Sequence, residues 1–360
     1  MNAKCLLVAS MEAHSGKSMT ILGIIHKLAK QGITTACGKP IGNSSDDSLI
    51  EFSDRNTDFL ADNLNLSPEQ VRPSMIKLSQ ETITKRLTEE NSHNYIQELQ
   101  NYISQMAGSV VFLEGATTFW EGGLFGLSMG EIATAIDAPI LLVSRYSSLS
   151  LVANLLIAKE FLGDRLLGVV INDIPETELE TITNQVKPYL EKRQISVLGT
   201  IPQDRLLNSV TVRELAERLD SKVLCCKNRL NLMVEGLTIG AMNVNSAIEY
   251  FRQKSNMVVV TGSDRKDLQI AALETLTNCL ILTGHTEPDP MILSRAEDLE
   301  IPVLAVNYDT LTTVEIVDAA FGRVSINEPI KIKKVVELME QNFDFARLFD
   351  LLGLESPLTV

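Results

Sequence analysis

The chain has 360 residues, 45% hydrophobic and 22% charged, a globular composition long enough for two domains. Its formal net charge of −14 opposes the counterion release that drives binding to polyanions, so nucleic acid and anionic membrane surfaces are excluded as partners. No apolar run reaches the roughly 18 residues of a spanning helix, no leader-like region precedes the first strand, and the five cysteines form no Cys-x-x-Cys pair, which points to a reducing, cytoplasmic setting.

The first element is the apolar run beginning Lys4-Cys-Leu-Leu-Val-Ala. Ser10-Met-Glu-Ala-His-Ser-Gly-Lys-Ser follows, and then a helical pattern with Ile21, Ile24, Ile25 and Leu28 on one face. Strand, Gly-Lys-Ser loop and helix in this order make a phosphate-binding P-loop. Successive backbone N–H groups cradle phosphate oxygens, Lys17 sets a charge near the β and γ phosphates, and Ser18 offers its hydroxyl to Mg²⁺. The expected ligand is therefore a nucleoside triphosphate, ATP with Mg²⁺, held by His14, Ser15, Gly16, Lys17, Ser18 and Met19. The loop departs from G-x-x-x-x-G-K-[ST] at Met11, where the first glycine belongs. The plain alternative is a strand-to-helix turn with Lys17 in solvent.

Further apolar runs at 33–38, 109–114, 139–145, 166–172 and 195–201 are unbroken by alternation, as strands buried on both faces are. Helical patterns lie between them, one carrying Leu149, Val152, Leu155, Leu156 and Lys159. The fold expected is α/β, a doubly wound and mostly parallel sheet with its ligand at the carboxyl ends of the strands. Lys39 follows the second strand and is placed to reach an anionic substrate or the γ phosphate, unless it is a surface lysine. Residues 42–60 read as a polar loop, in which Asp46 and Asp47 are candidates to complete the Mg²⁺ shell. Glu114 ends the third run beside the P-loop, where a carboxylate binds Mg²⁺ directly or through water or else caps a helix. Asn172 ends a later run, with an amide suited to reading an adenine edge.

A second series begins after Pro202. Short apolar runs start near Leu237, Met257, Cys279 and Pro302, followed by helical stretches at 245–254, 264–276, 289–299 and 310–320, a second and smaller α/β domain. In it Thr261-Gly-Ser-Asp-Arg and Leu282-Thr-Gly-His are turns between strand and helix. Ser263, Asp264, Arg265 and His285 are candidates for a second ligand there, against simple helix capping. The last residues carry Val335, Leu338, Met339, Phe345, Leu348, Phe349 and Leu352 on one face, a stripe that docks on its own chain or pairs with another copy as a symmetric dimer. The boundaries expected are 1–203, 204–323 and 324–360. No His-Glu-x-x-His or Gly-x-Ser-x-Gly motif supports zinc or serine-hydrolase chemistry.

With Gly16-Lys17-Ser18, Lys39-Pro40, Glu114-Gly115 and Asn172, the first 200 or so residues resemble the dethiobiotin synthetase and cobyrinic acid synthase branch of P-loop proteins. The stretches Leu113-Glu-Gly-Ala-Thr-Thr-Phe-Trp-Glu-Gly-Gly and Leu141-Leu-Val-Ser-Arg-Tyr-Ser are closer to the N-terminal region of long phosphate acetyltransferases. Ile201-Pro-Gln-Asp-Arg and Thr261-Gly-Ser-Asp-Arg match the DRTGG domain that follows there, with His285 in place of a usual glycine. The resemblance runs over residues 3–322 and implies a regulatory and assembly role. What remains is too short for the acetyltransferase domain, so acetyl transfer is not expected. Ala116-Thr-Thr-Phe-Trp replaces the synthetase's glycine-rich turn, which bears on its substrate pocket. The leading expectation is a cytoplasmic, oligomeric ATP-binding regulatory protein that senses nucleotide through the P-loop and relays it through the DRTGG-like domain, with a second small-molecule effector. The rival is an ATP-dependent ligase, or an ATP hydrolase, in which Lys17 and Lys39 act on the phosphates. A scaffold without nucleotide binding is the third.

Overall fold

The computed structural model describes residues 3–43, 61, 63–64, 66–240, 255–284, 288–322 and 328–354. The chain divides into one unit of Met1–Gln203 with Asn327–Val360 and another of Asp204–Ile326.

In the first unit, β1 (Lys4–Ala9) leads through the P-loop into α1 (Lys17–Lys30). Then come β2 (Thr35–Gly38), β3 (Ile41–Asn43), β4 (Val71–Arg72), β5 (Ile76–Leu78), α2 (Gln80–Leu87), α3 (Tyr95–Ser104) and β6 (Val110–Glu114). α4 (Met129–Ala135), β7 (Ile140–Arg145), α5 (Leu151–Leu162), β8 (Leu166–Ile174), the helical segment α6 over 179–191 and β9 (Val197–Pro202) complete it. Seven strands form one parallel sheet in the order β4-β2-β6-β1-β7-β8-β9. The six apolar runs become six of these strands because their side chains are buried on both faces; Val110 to Glu114 are all buried. β1 is central, pairing with β6 on one side and β7 on the other, so strand order reverses beside the P-loop and opens the crevice where α/β sheets hold ligands. The short parallel pair β3–β5 has no clear apolar signature.

The second unit has β10 (Val210–Thr211), α7 (Val212–Arg218), β11 (Lys222–Cys225), β12 (Met233–Val234), β13 (Gly236–Ile239), β14 (Met257–Gly262) and α8 (Lys266–Leu273). β15 (Thr277–Thr283), α9 (Pro290–Asp298), β16 (Val303–Val306) and α10 (Thr310–Gly322) follow. Its sheet runs β11-β16-β15-β14-β13, with β11 antiparallel and the rest parallel, and β10 pairs with β12 apart from it. Each sheet has its own apolar core. The helical stretch expected at 245–254 lies outside the described residues.

The chain then returns to the first unit as α11 (Pro329–Asn342) and α12 (Phe345–Leu351). The terminal stripe, expected to dock on its own chain or to pair with another copy, docks on its own chain, against the first unit. Val335, Leu338, Met339, Phe345, Leu348 and Phe349 are buried, and α11 packs on α1 and β9. Met339 lies over Gly23 of α1, where a Cβ would sit 2.5 Å from its Cγ. The single amphipathic segment is also two helices, broken at Phe343 and Asp344. Phe343 makes an isolated antiparallel bridge to Gly199, and the Asp344 N–H donates to the Leu198 carbonyl at 2.7 Å. These contacts cover the exposed edge of β9, and the carboxylate of Asp344 caps α12 through the Arg347 N–H.

Candidate functional site at the P-loop

Gly16 makes the turn from β1 into α1. Its φ is 101°, and a Cβ there would collide with the amide nitrogen of Asn172, so both conformation and space call for glycine. The α1 amides begin at this point without a side-chain cap, and no acidic residue occupies the first turn. The helix end therefore keeps its N–H groups and positive dipole for an anion. Ser15 is buried, and its Oγ has no hydrogen-bond partner among the described residues.

Lys17 is only 8% exposed. Its ammonium donates to Ser10 Oγ at 2.9 Å, and that hydroxyl donates to the Glu12 carbonyl at 2.7 Å, with the Thr117 carbonyl 3.3 Å away. Burial holds the Lys17 pKa below the ordinary lysine value; the Glu114 carboxylate opposes that shift and the Lys39 ammonium adds to it. Ser18 donates to Glu114 Oε2 at 2.9 Å, and Lys39 Nζ lies 3.8 Å from Glu114 Oε1. The structure thus brings Lys17, Ser18, Lys39 and Glu114 together from the start of α1 and the ends of β2 and β6. Burial pushes the neighbouring Cys37 thiol up to about 12, which leaves it a core side chain rather than a nucleophile.

Asn172 donates to the Ser15 carbonyl at 2.9 Å, so its amide N–H holds the loop from beneath. His14 is exposed and sits at a φ of 54°, while Met19 is buried in the first turn of α1. Asp46 and Asp47 lie outside the described residues. In the second unit, Ser263 is buried with its N–H on the Thr283 carbonyl, Asp264 is exposed and Arg265 pairs with Asp267. His285 lies outside the described residues.

Two members of the site escape a reading by motif. Glu12 accepts from the Arg145 N–H at 2.6 Å and from Ser144 Oγ at 3.3 Å, tying the P-loop to the end of β7. Ser10 occupies the ammonium of Lys17. Both stand inside the nine-residue loop, whose pattern says nothing of them. Glu121 accepts from the Thr117 and Thr118 N–H groups at 2.7 and 3.2 Å and closes the turn above Ser10.

Among the described residues there is no group of three or more His, Cys, Asp and Glu able to hold a metal unaided, and no helix is long and apolar enough to cross a membrane. The Ser18 hydroxyl and Glu114 carboxylate are hard oxygen donors of the kind Mg²⁺ takes when phosphate and water supply the rest, so the residues present fit that ion.

Comparison with known proteins gives two family matches. An AAA domain model matches residues 4–211, more than half of the chain, and a DRTGG domain model matches residues 214–320. Phosphate acetyltransferase of Nitratidesulfovibrio vulgaris is 22% identical over 361 residues, covering 95% of this chain and 51% of its own length. That of Synechocystis is 25% identical over 368 residues, covering 96% and 51%. The chain therefore spans about half the length of these curated relatives. Among solved structures, the CBS and DRTGG domains of the regulatory region of Clostridium perfringens pyrophosphatase, complexed with diadenosine tetraphosphate, align at 18% identity over 45% of this chain and 68% of that one. The TM-score of 0.28 carries no argument. The chain belongs to the AAA-domain family in its dethiobiotin-synthetase-like P-loop form, joined to a DRTGG domain as in the N-terminal region of phosphate acetyltransferases.

Proposed function

We propose that the first unit binds ATP with Mg²⁺ and that the chain is a regulatory protein whose DRTGG domain responds to that binding. The observation that carries this reading is Lys17. An ammonium buried behind the loop, donating to Ser10 and with uncapped helix amides beside it, gains most from a polyanion that brings charge and oxygen acceptors together. On this reading Ser18 and Glu114 hold Mg²⁺, the loop amides from His14 to Met19 hold phosphates, and Asn172 keeps the loop in shape.

The arrangement of Lys39 favours a second reading, an ATP-dependent ligase. Its ammonium reaches the same carboxylate as Ser18 from the other side, where it is placed to steady an anionic co-substrate facing the γ phosphate. Hydrogen exchange separates the two. The regulatory reading expects Mg·ATP to change amide protection in residues 204–322 with little phosphate released. Binding without any change in the second unit, together with steady phosphate release, favours the ligase.

A further inference from the structure

The carboxyl ends of β14 and β15 in the second unit form a polar rim that the P-loop does not use. Val259, Leu280 and Leu282 face the core beneath α8 and α9, and strand alternation carries Ser263 and Gly284 to the same face, one residue past each strand. Ser263 continues the ladder there, its N–H on the Thr283 carbonyl at 2.9 Å, and a Cβ on Gly284 would stand 3.5 Å from the Ser263 hydroxyl oxygen. The φ of Gly284 is 92°, so bare backbone borders this hydroxyl. In parallel α/β sheets this end of the strands is where ligands lie.

Gln269 of α8 points to one. Its side chain is fully buried, and Nε2 donates to the Gly262 carbonyl at 2.9 Å, which fixes the carboxamide against the end of β14. Oε1 has no hydrogen-bond partner among the described residues. A buried carbonyl oxygen left in this way costs folding free energy that an apolar side chain of similar length avoids, and a ligand that brings an N–H donor recovers it.

Charge narrows the class of ligand. α8 carries Asp267 in its first turn, paired with Arg265, and Asp289 caps α9 through the Met291 N–H while pairing with Lys266. The helix dipoles are thus met by acids and the acids by bases, so neither an anion nor a cation gains much at this rim. A neutral donor remains. A carboxamide whose oxygen is open pairs with a planar edge that sets an amino group beside a ring nitrogen, and among nucleobases adenine offers that edge.

We propose that this rim binds the adenine ring of a nucleoside, with Gln269 Oε1 accepting from the exocyclic amino group beside the Ser263 hydroxyl. Phosphates take no part in this recognition, so the proposal stands apart from the nucleotide reading of the P-loop.

Isothermal titration with adenosine tests it, because adenosine lacks the phosphates that Lys17 is placed to hold. The full chain is expected to bind adenosine with equal affinity in the wild type and in Lys17→Ala. Inosine, which has a carbonyl in place of the amino group, should bind about 10-fold or more weakly. Gln269→Met should weaken adenosine by a similar factor without lowering the melting temperature of the ligand-free protein, since the unpartnered acceptor is gone. The inosine comparison decides without recourse to any variant. No adenosine binding by the wild type overturns the proposal, and so does binding that inosine matches, that Lys17→Ala abolishes or that survives Gln269→Met.

Discussion

Lys17 carries a pH signature that separates burial from binding. Burial lowers its pKa, so while charged it destabilises the folded state. Between that lowered value and the ordinary 10.5 the unfolded chain holds more protons, and stability rises with pH. Lys17→Met is therefore expected to raise the melting temperature of the ligand-free protein at neutral pH. The gain should vanish as pH rises through 10.5. Melting curves at neutral and alkaline pH check this, and a loss of stability at both would show that the Ser10 contact outweighs desolvation. Gly16→Ala is expected to cost about 1–3 kcal/mol in chemical denaturation, from the strained φ and the clash with Asn172. At this scale the sequence reveals what is local. Gly16, Lys17 and Ser18 announce themselves by spacing, and Glu114 by ending a strand. Glu12 and Arg145 are 133 residues apart, and nothing in either segment points to the other. Asn172 is visible as an amide closing an apolar run, but its bond to Ser15 is not, because that depends on the order of the strands, in which β7 lies between β1 and β8.

α11 and α12 brace the helix that follows the P-loop. Gly23→Ala should destabilise the first unit by about 1–3 kcal/mol, because Met339 fills the space its methyl needs. Met339→Ala in the same chain should recover part of that loss, which a double-mutant cycle measures. Leu348, fully buried, should cost about 2–5 kcal/mol on truncation to Ala. Arg347 binds Glu191 through both guanidinium nitrogens, at 2.6 and 2.8 Å, and holds its carboxyl below the usual range. That contribution is present above the ordinary glutamate value of 4.5 and is lost as pH falls through the lowered one. Because the pair is partly exposed, Arg347→Ala is expected to cost about 1 kcal/mol at neutral pH and less in acid. Most elements are legible because buried parallel strands write themselves as unbroken apolar runs; those from 4–10 to 195–201 all became strands. The pairs β3–β5 and β10–β12 are two or three residues long and too short to leave a period. The terminal stripe shows an apolar face but not its target, and its break at Asp344 depends on β9 offering a free edge.

At the scale of the molecule, the second unit interrupts the first in sequence: the chain leaves at Gln203 and returns at Asn327. Each unit has a sheet and core of its own, so scanning calorimetry is expected to resolve two transitions, with Leu348→Ala lowering only that of the unit containing the P-loop. A single transition lowered as a whole would mean that the units unfold as one. The two α/β series are legible as separate runs, but the return of the chain is not, since connectivity leaves no mark on composition. The P-loop as a nucleotide site is the feature on which the proposed function depends most. Isothermal titration of Mg·ATP into the wild type and Lys17→Ala tests it most directly. The account predicts saturable one-site binding by the wild type, weakened about 100-fold or more by the substitution, as the loss of a buried charge-assisted contact implies. No binding by the wild type, or equal affinity in both proteins, would contradict it.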